Sequence, residues 1–190
     1  MSSALKDFWD QTYAGIPPVA HELRELLQNR WVRFYSLPEG KRYADNALES
    51  QTVIARQESL LKTLAGDSPI TVVTTAYSPS ETPELPPVLA KVDSSAAHWR
   101  TIAMHDDDLD DPNYWHLFAR TYNRSDRRIA QILDLVATEA ISNVILLSVG
   151  DSWLMHPYDG GTDVIMPTAA KRLALALRYS EWRSPRPDGL

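Results

Sequence analysis

The chain has no cysteine, which removes disulfides, Cys-based zinc sites and a thiol nucleophile from consideration at once. It has no apolar run approaching the ~18 uninterrupted residues of a membrane span. Its first residues, MSSALKDFWDQTY, lack the basic-then-apolar pattern of a leader, so a cytoplasmic address is the expectation. An excess of positive charge is missing too. Nineteen Lys and Arg against 25 Asp and Glu leave a formal charge of −6, which argues against general affinity for nucleic acid or an anionic membrane. No internal repeat and no low-complexity linker divides the 190 residues. They read as one globular domain, with N-terminal helices over 1–29, an α+β core over 30–183 and a tail over 184–190.

Several catalytic signatures are absent as well. There is no G-x-x-x-x-G-K-[ST] or G-x-G-x-x-G to cradle a phosphate, no G-x-S-x-G elbow, and no H-E-x-x-H, since His21-Glu22 is followed by Leu23, Arg24 and Glu25. With no cysteine and no familiar spacing among the five histidines, neither a cofactor nor a resident metal is expected.

What the sequence does carry is clear periodicity. Helical apolar stripes run through Leu5, Phe8, Trp9 and Tyr13, and through Val19, Leu23, Leu26 and Leu27 behind Pro17-Pro18. A third helix is predicted to start at Asn46, with Glu49 at the capping-box spacing, and to stop at Gly66. A fourth follows Ser125 as cap and Asp126 in its first turn, with Ile129, Ile132, Leu133 and Val136 inward. A fifth begins near Thr168 and carries Leu173 and Leu177. Strand-like runs rich in β-branched and aromatic residues fall at 31–36, 70–77, 98–104, 114–122, 144–149, 152–156 and 162–166. Gly150-Asp151 predicts a hairpin, and Pro157–Gly161 predicts a tight reversal into the last strand. The proline-rich stretch Ser78–Pro87 reads as a surface loop. The expected class is α+β: a mostly antiparallel sheet of about six to seven strands with about five helices packed on it.

Three polar clusters are candidates for function. In His105–Asp111 (HDDDLDD) five carboxylates crowd one loop. Such a loop suits weak binding of a hard cation, or an acidic surface facing a partner through Asp106, Asp107 and Asp108, or plain solvation. Its sixth and twelfth positions, Asp111 and Leu117, lack the glycine and glutamate of a calcium loop. In Trp153–Asp163 (WLMHPYDGGTD), His156, Asp159 and Asp163 could gather an acid–base set, with Tyr158 beside them. Proline, aspartate and glycine are equally the chemistry of a turn, where Gly160 and Gly161 permit positive φ or close backbone approach. The third, Arg33–Tyr43 (RFYSLPEGKRY), concentrates Arg33, Lys41, Arg42 and Tyr43. These suit carboxylate or phosphate contacts, or an ion pair to Asp159 or Asp163 that fixes the turn.

The strings RFYSLPEGKRYADN, WLMHPYDGGTDVIM and YSEWRSPRPDGL resemble the bacterial family of domain of unknown function 3885, from about Trp31 to Leu190. H-P-Y-D-G-G-x-D is the most specific segment. The closing segment departs slightly from that family's W-L-S-x-x-P-x-G-L pattern. The resemblance implies a shared fold, a small standalone cytosolic protein, and a shared surface around Arg33, Arg42, His156, Asp159 and Asp163. It implies no reaction. Two functions compete. One is an interaction module, immunity- or antitoxin-like, that binds a toxin or another basic protein. The other is a small hydrolase or lyase using His156 with Asp159 or Asp163, with or without a divalent cation.

Overall fold

The computed structural model describes residues 2–104 and 113–184. The acidic cluster His105–Asp111, with its candidate residues Asp106, Asp107 and Asp108, lies outside the described residues, as does the tail from 185 onward.

Seven strands form one sheet: β1 (Trp31–Tyr35), β2 (Ile70–Ser78), β3 (Ala97–Met104), β4 (Asn113–Tyr122), β5 (Ile145–Leu147), β6 (Leu154–Tyr158) and β7 (Gly161–Ile165). Their order is β1-β7-β6-β5-β2-β4-β3, and each neighbouring pair is antiparallel. The helices are α1 (Ser2–Thr12), α2 (Ala20–Leu26), α3 (Ala47–Ala65), α4 (Pro87–Asp93), α5 (Arg127–Ala137) and α6 (Ala169–Arg178). The class is α+β, with one helix more among the described residues than periodicity predicts. That helix, α4, follows the proline-rich loop directly; at seven residues it is too short to show a stripe, and Pro87 opens it where a missing N–H costs nothing. None of the helices among the described residues is long and apolar enough to cross a membrane.

The sheet is buried on both faces, so its middle strands are largely apolar, with Thr71, Thr74 and Thr75 of β2 buried among them, and successive residues alternate sides. Val72, Leu146, Met155 and Val164 point to a core shared with Leu60 and Leu61 of α3, Ile132 and Leu133 of α5, and Leu175 of α6. Val73, Ile145, Leu147, Leu154 and Ile165 point the other way, to Leu5, Phe8 and Trp9 of α1 and to Ala20 and Leu23 of α2. The seven-residue α2 covers only part of its face of the sheet. Asn143 fixes where it sits: its Oδ1 accepts from the first helical N–H, at Ala20, at 2.8 Å, while its Nδ2 donates to Thr75 Oγ1 at 2.7 Å.

Local details correct the sequence reading in several places. Asn46 caps α3 by accepting from Glu49 N, and Gly66 ends it at φ 53°. Glu49, however, reaches Asp45 N and Lys41 rather than the Asn46 N–H. The cap of α5 is Asp126, accepting from Arg128 N, so Ser125 falls one residue outside. Leu173 and Leu177 lie on the exposed face of α6, and Leu175 and Ala176 face the core. The β5–β6 hairpin forms, but its left-handed residue is Ser152, at φ 56°, rather than Gly150.

Candidate functional site

Three neighbouring strands set the centre of the site by register alone. Arg33 on β1 pairs with Asp163 on β7, and Asp163 pairs with His156 on β6. Directly paired residues share a face, here the α2 face, which also carries Trp31, Leu154 and Ile165. Arg33 donates through Nε and Nη2 to the two oxygens of Asp163, at 2.8 and 2.9 Å. The pair is nearly buried, with side-chain exposures of 14% and 6%. The Arg33 guanidinium also lies 5.4 Å from the Trp31 ring and 5.5 Å from that of Tyr158. Burial works to strip its proton, but the bonds and charge of Asp163 more than offset this, and its pKa is raised.

The β6–β7 turn has a two-residue loop, Asp159-Gly160, between the paired Tyr158 and Gly161. Of the two demands that favour glycine here, left-handed φ and close approach, it is close approach that operates: neither glycine has positive φ. A Cβ on Gly161 would stand 2.6 Å from Tyr158 Oη and 2.8 Å from the Phe34 carbonyl, and one on Gly160 would stand 2.9 Å from Arg42 Cγ. Arg42, in the segment after β1, donates from Nε to Asp159 at 2.9 Å. From the opposite face, Gln57 donates to Tyr158 O and Arg56 to Tyr35 O, so α3 holds the backbone beneath the site. Tyr43 is exposed beneath the Arg42 guanidinium, 5.0 Å from centroid to carbon, and lines no part of the cleft described next.

Over this row the face left bare by α2 opens into a cleft of two adjoining lobes. The first, about 430 Å³, is lined by Arg24, Arg33, Arg42, Tyr35, Tyr158 and Asp163 among others. The second, about 450 Å³, is lined by Tyr77, Trp115, Glu139, Ser142 and Asn143 among others. His21, Arg42, His156, Tyr158 and Asp159 line both. Volumes of this size suit a small ligand or a few residues of a peptide. Sequence reading missed His21, Arg24, Tyr77, Trp115 and Glu139 as lining residues, because only the fold brings α2, β2, β4 and the end of α5 to this place.

His156 is set by a single bond. Its Nδ1 lies 2.9 Å from the Val144 carbonyl, and a carbonyl only accepts, so Nδ1 carries the proton and Nε2 presents a lone pair. Burial first, then the charges of His21 and Arg33, outweigh the Val144 bond and Asp163 and hold its pKa below the ordinary histidine range. The ring is therefore neutral at pH 7. The expected acid–base set does not form a hydrogen-bonded dyad: Asp163 is engaged by Arg33, Asp159 by Arg42, and the His156 proton goes to the backbone. Among the described residues no three His, Asp or Glu side chains gather as metal ligands.

No curated protein and no solved structure matches the chain. Residues 19–187, which include every residue placed around the cleft, match the family described as Domain of unknown function (DUF3885), and the chain belongs to that family.

Proposed function

We propose that the protein is a cytoplasmic interaction module, of the immunity or antitoxin kind, that binds a partner protein through the cleft. The observation that supports this reading is the commitment of the carboxylates. Asp163 and Asp159 spend their oxygens holding Arg33 and Arg42, so they orient cations instead of activating a histidine. Arg33, pre-set on the rigid sheet, is a recognition element, since little side-chain freedom remains to be lost on binding, and Asp159 orients the more exposed Arg42. The acidic run His105–Asp111 adds a field that would speed encounter with a basic partner. Arg42 is 64% exposed and Arg24 35% exposed at the side chain, so Arg24→Glu with Arg42→Glu leaves the core intact. The double variant, tagged and purified from its native cells beside the wild type, is expected to lose the partner that the wild type retains. Equal recovery of the same partner would remove the cleft from the proposal.

The neutral Nε2 of His156, open to both lobes, favours a second reading as a hydrolase or lyase with His156 as general base. On that reading His156→Gln would keep partner capture and melting temperature yet abolish turnover.

A further inference from the structure

The two lobes differ in chemical character. The first gathers the guanidinium groups of Arg33 and Arg42, held by Asp163 and Asp159, with that of Arg24, which lies 3.8 Å from Glu25. Among the described residues, Arg33 Nη1 and both Nη atoms of Arg42 have no protein partner. Spare guanidinium donors beside an already paired carboxylate suit a second carboxylate. The second lobe shares Arg42 but lacks Arg24 and Arg33, and adds aromatic rings and a further carboxylate. Tyr77 and Trp115 meet edge to face at 5.0 Å, with Glu139 on the same lobe. Aromatic faces beside a carboxylate suit an ammonium or guanidinium ion. Between them, His156 Nε2 offers an acceptor for an N–H.

Glu139 carries a further sign. It follows the C-cap of α5 at φ 56°, and the bonds Glu139 N to Val136 O and Ala140 N to Leu135 O close a Schellman turn. That position favours glycine, because a Cβ is strained there. Glu139 makes no ion pair among the described residues, although its charge is felt at Arg42. A strained residue lining a cavity, with its carboxylate unpaired, is kept at a cost to stability.

We infer that the cleft is a bipolar peptide site: it takes a short segment of the partner protein that places a carboxylate among Arg24, Arg33 and Arg42 and a cation against Trp115, Tyr77 and Glu139, with a backbone N–H between them donating to His156. This rests on the interaction-module reading. The probes are oligoglycines from two to five residues, whose termini supply both charges, with N-acetylated and C-amidated forms as controls. Binding is read from amide and Trp115 indole shifts in the intact protein. At least one zwitterionic length is expected to bind with a dissociation constant on the order of millimolar, the scale of two charge-assisted contacts, and to shift Arg42, Gly160, Trp115 and Glu139. Blocking either terminus should weaken it about tenfold.

Glu139→Gly should raise the melting temperature by about 2–4 °C while weakening the zwitterion to the level of its acetylated form. A merely structural Glu139 would not separate stability from binding in this way. Blocked peptides binding as well as free ones, shifts that map outside the cleft, or a Glu139→Gly variant with unchanged affinity would each overturn the inference. None of these results touches the module reading, which is tested separately by whether the wild type captures a partner and whether Arg24→Glu with Arg42→Glu loses it.

Discussion

Gly161 is the residue of the hairpin least able to accept a side chain, and the reason can be isolated. A Cβ there would meet two different obstacles, Tyr158 Oη at 2.6 Å and the Phe34 carbonyl oxygen at 2.8 Å. The first is the tip of a side chain. The second is backbone of β1, held in the sheet by the pairing of Phe34 with Thr162 and of Tyr35 with Gly161 itself. Relief therefore requires β1 and β7 to separate locally, beside the Arg33–Asp163 pair. Overpacking of this kind costs about 1–3 kcal/mol. With about 2–4 °C per kcal/mol for a domain of this size, Gly161→Ala should lower the melting temperature by roughly 2–12 °C. Gly160→Ala supplies the contrast. Its Cβ meets Arg42 Cγ at 2.9 Å, on a side chain 64% exposed that can yield without any movement of backbone.

Differential scanning calorimetry of the two variants should rank Gly161→Ala well below Gly160→Ala. Adding Tyr158→Phe removes the nearest contact but leaves the ring carbon at 3.0 Å and the Phe34 carbonyl, so the double variant should regain part of the loss but not all of it, a coupling that a double-mutant cycle reads directly. Equal losses at the two glycines would refute the close-approach argument, as would full rescue by Tyr158→Phe, which would leave the Phe34 carbonyl with no part in it.

Two further outcomes follow from other parts of the molecule. Asp126, held by the backbone and guanidinium of Arg128, has its pKa lowered to about 2; a carboxylate depressed on folding stabilises fully above its unfolded value near 4 and loses that contribution as pH falls toward 2. Asp126→Asn keeps a good helix cap, so thermal melts should show it less stable than the wild type at pH 6 and level with it near pH 2, and a gap that does not change with pH would refute the assignment. On α6, Leu175→Ala should cost about 2–5 kcal/mol, whereas Leu177→Ala, at 65% exposure, should stay within about 0.5 kcal/mol; a larger loss at Leu177 than at Leu175 in chemical denaturation would mean the helix presents the other face.

Local signals made most of the fold legible. Alternation and β-branched content located all seven strands, because each strand carries its own pattern. The cap at Asn46 and the stop at Gly66 are likewise written within one turn of chain. Errors arose where a tertiary partner chose between local options. Leu173 and Leu177 make as good a stripe as Leu175 and Ala176, and only the cores on α3 and β1 decide which face turns inward. Gly160-Gly161 reads as a turn open to positive φ or to close approach, and the choice is made by Tyr158, Phe34 and Arg42, two of which lie more than a hundred residues away. The site follows the same rule. Arg33, Arg42, His156, Asp159 and Asp163 were visible because they cluster in two short strings, and the structure brings those strings together as ion pairs. His21, Trp115 and Glu139 came from separate helices and strands, with no local mark that joined them.

The pairing of Arg33 with Asp163 connects the fold to the proposed recognition chemistry. A buried ion pair is weak evidence for stability, since removing two charges from water costs about as much as their attraction returns. Its value here lies in geometry. Bidentate contact fixes the guanidinium plane between the Trp31 and Tyr158 rings, and register fixes Asp163 beside His156. A slip of one residue in β7 would turn Asp163 into the opposite core and bring Val164 beneath α2, so the ion pair also opposes the wrong register. The edge of Arg33 not spent on Asp163 is then aimed by the same constraint that aligns the strands. This gives a directional expectation for substitution. Arg33→Lys retains the charge but loses the two-point contact, so it should disturb partner binding more than its effect on melting temperature would account for. Arg33→Met with Asp163→Leu, an apolar replacement of the pair, should fold and yet fail to bind. If that apolar double variant captured the partner as the wild type does, Arg33 would be a strut of the sheet and nothing more.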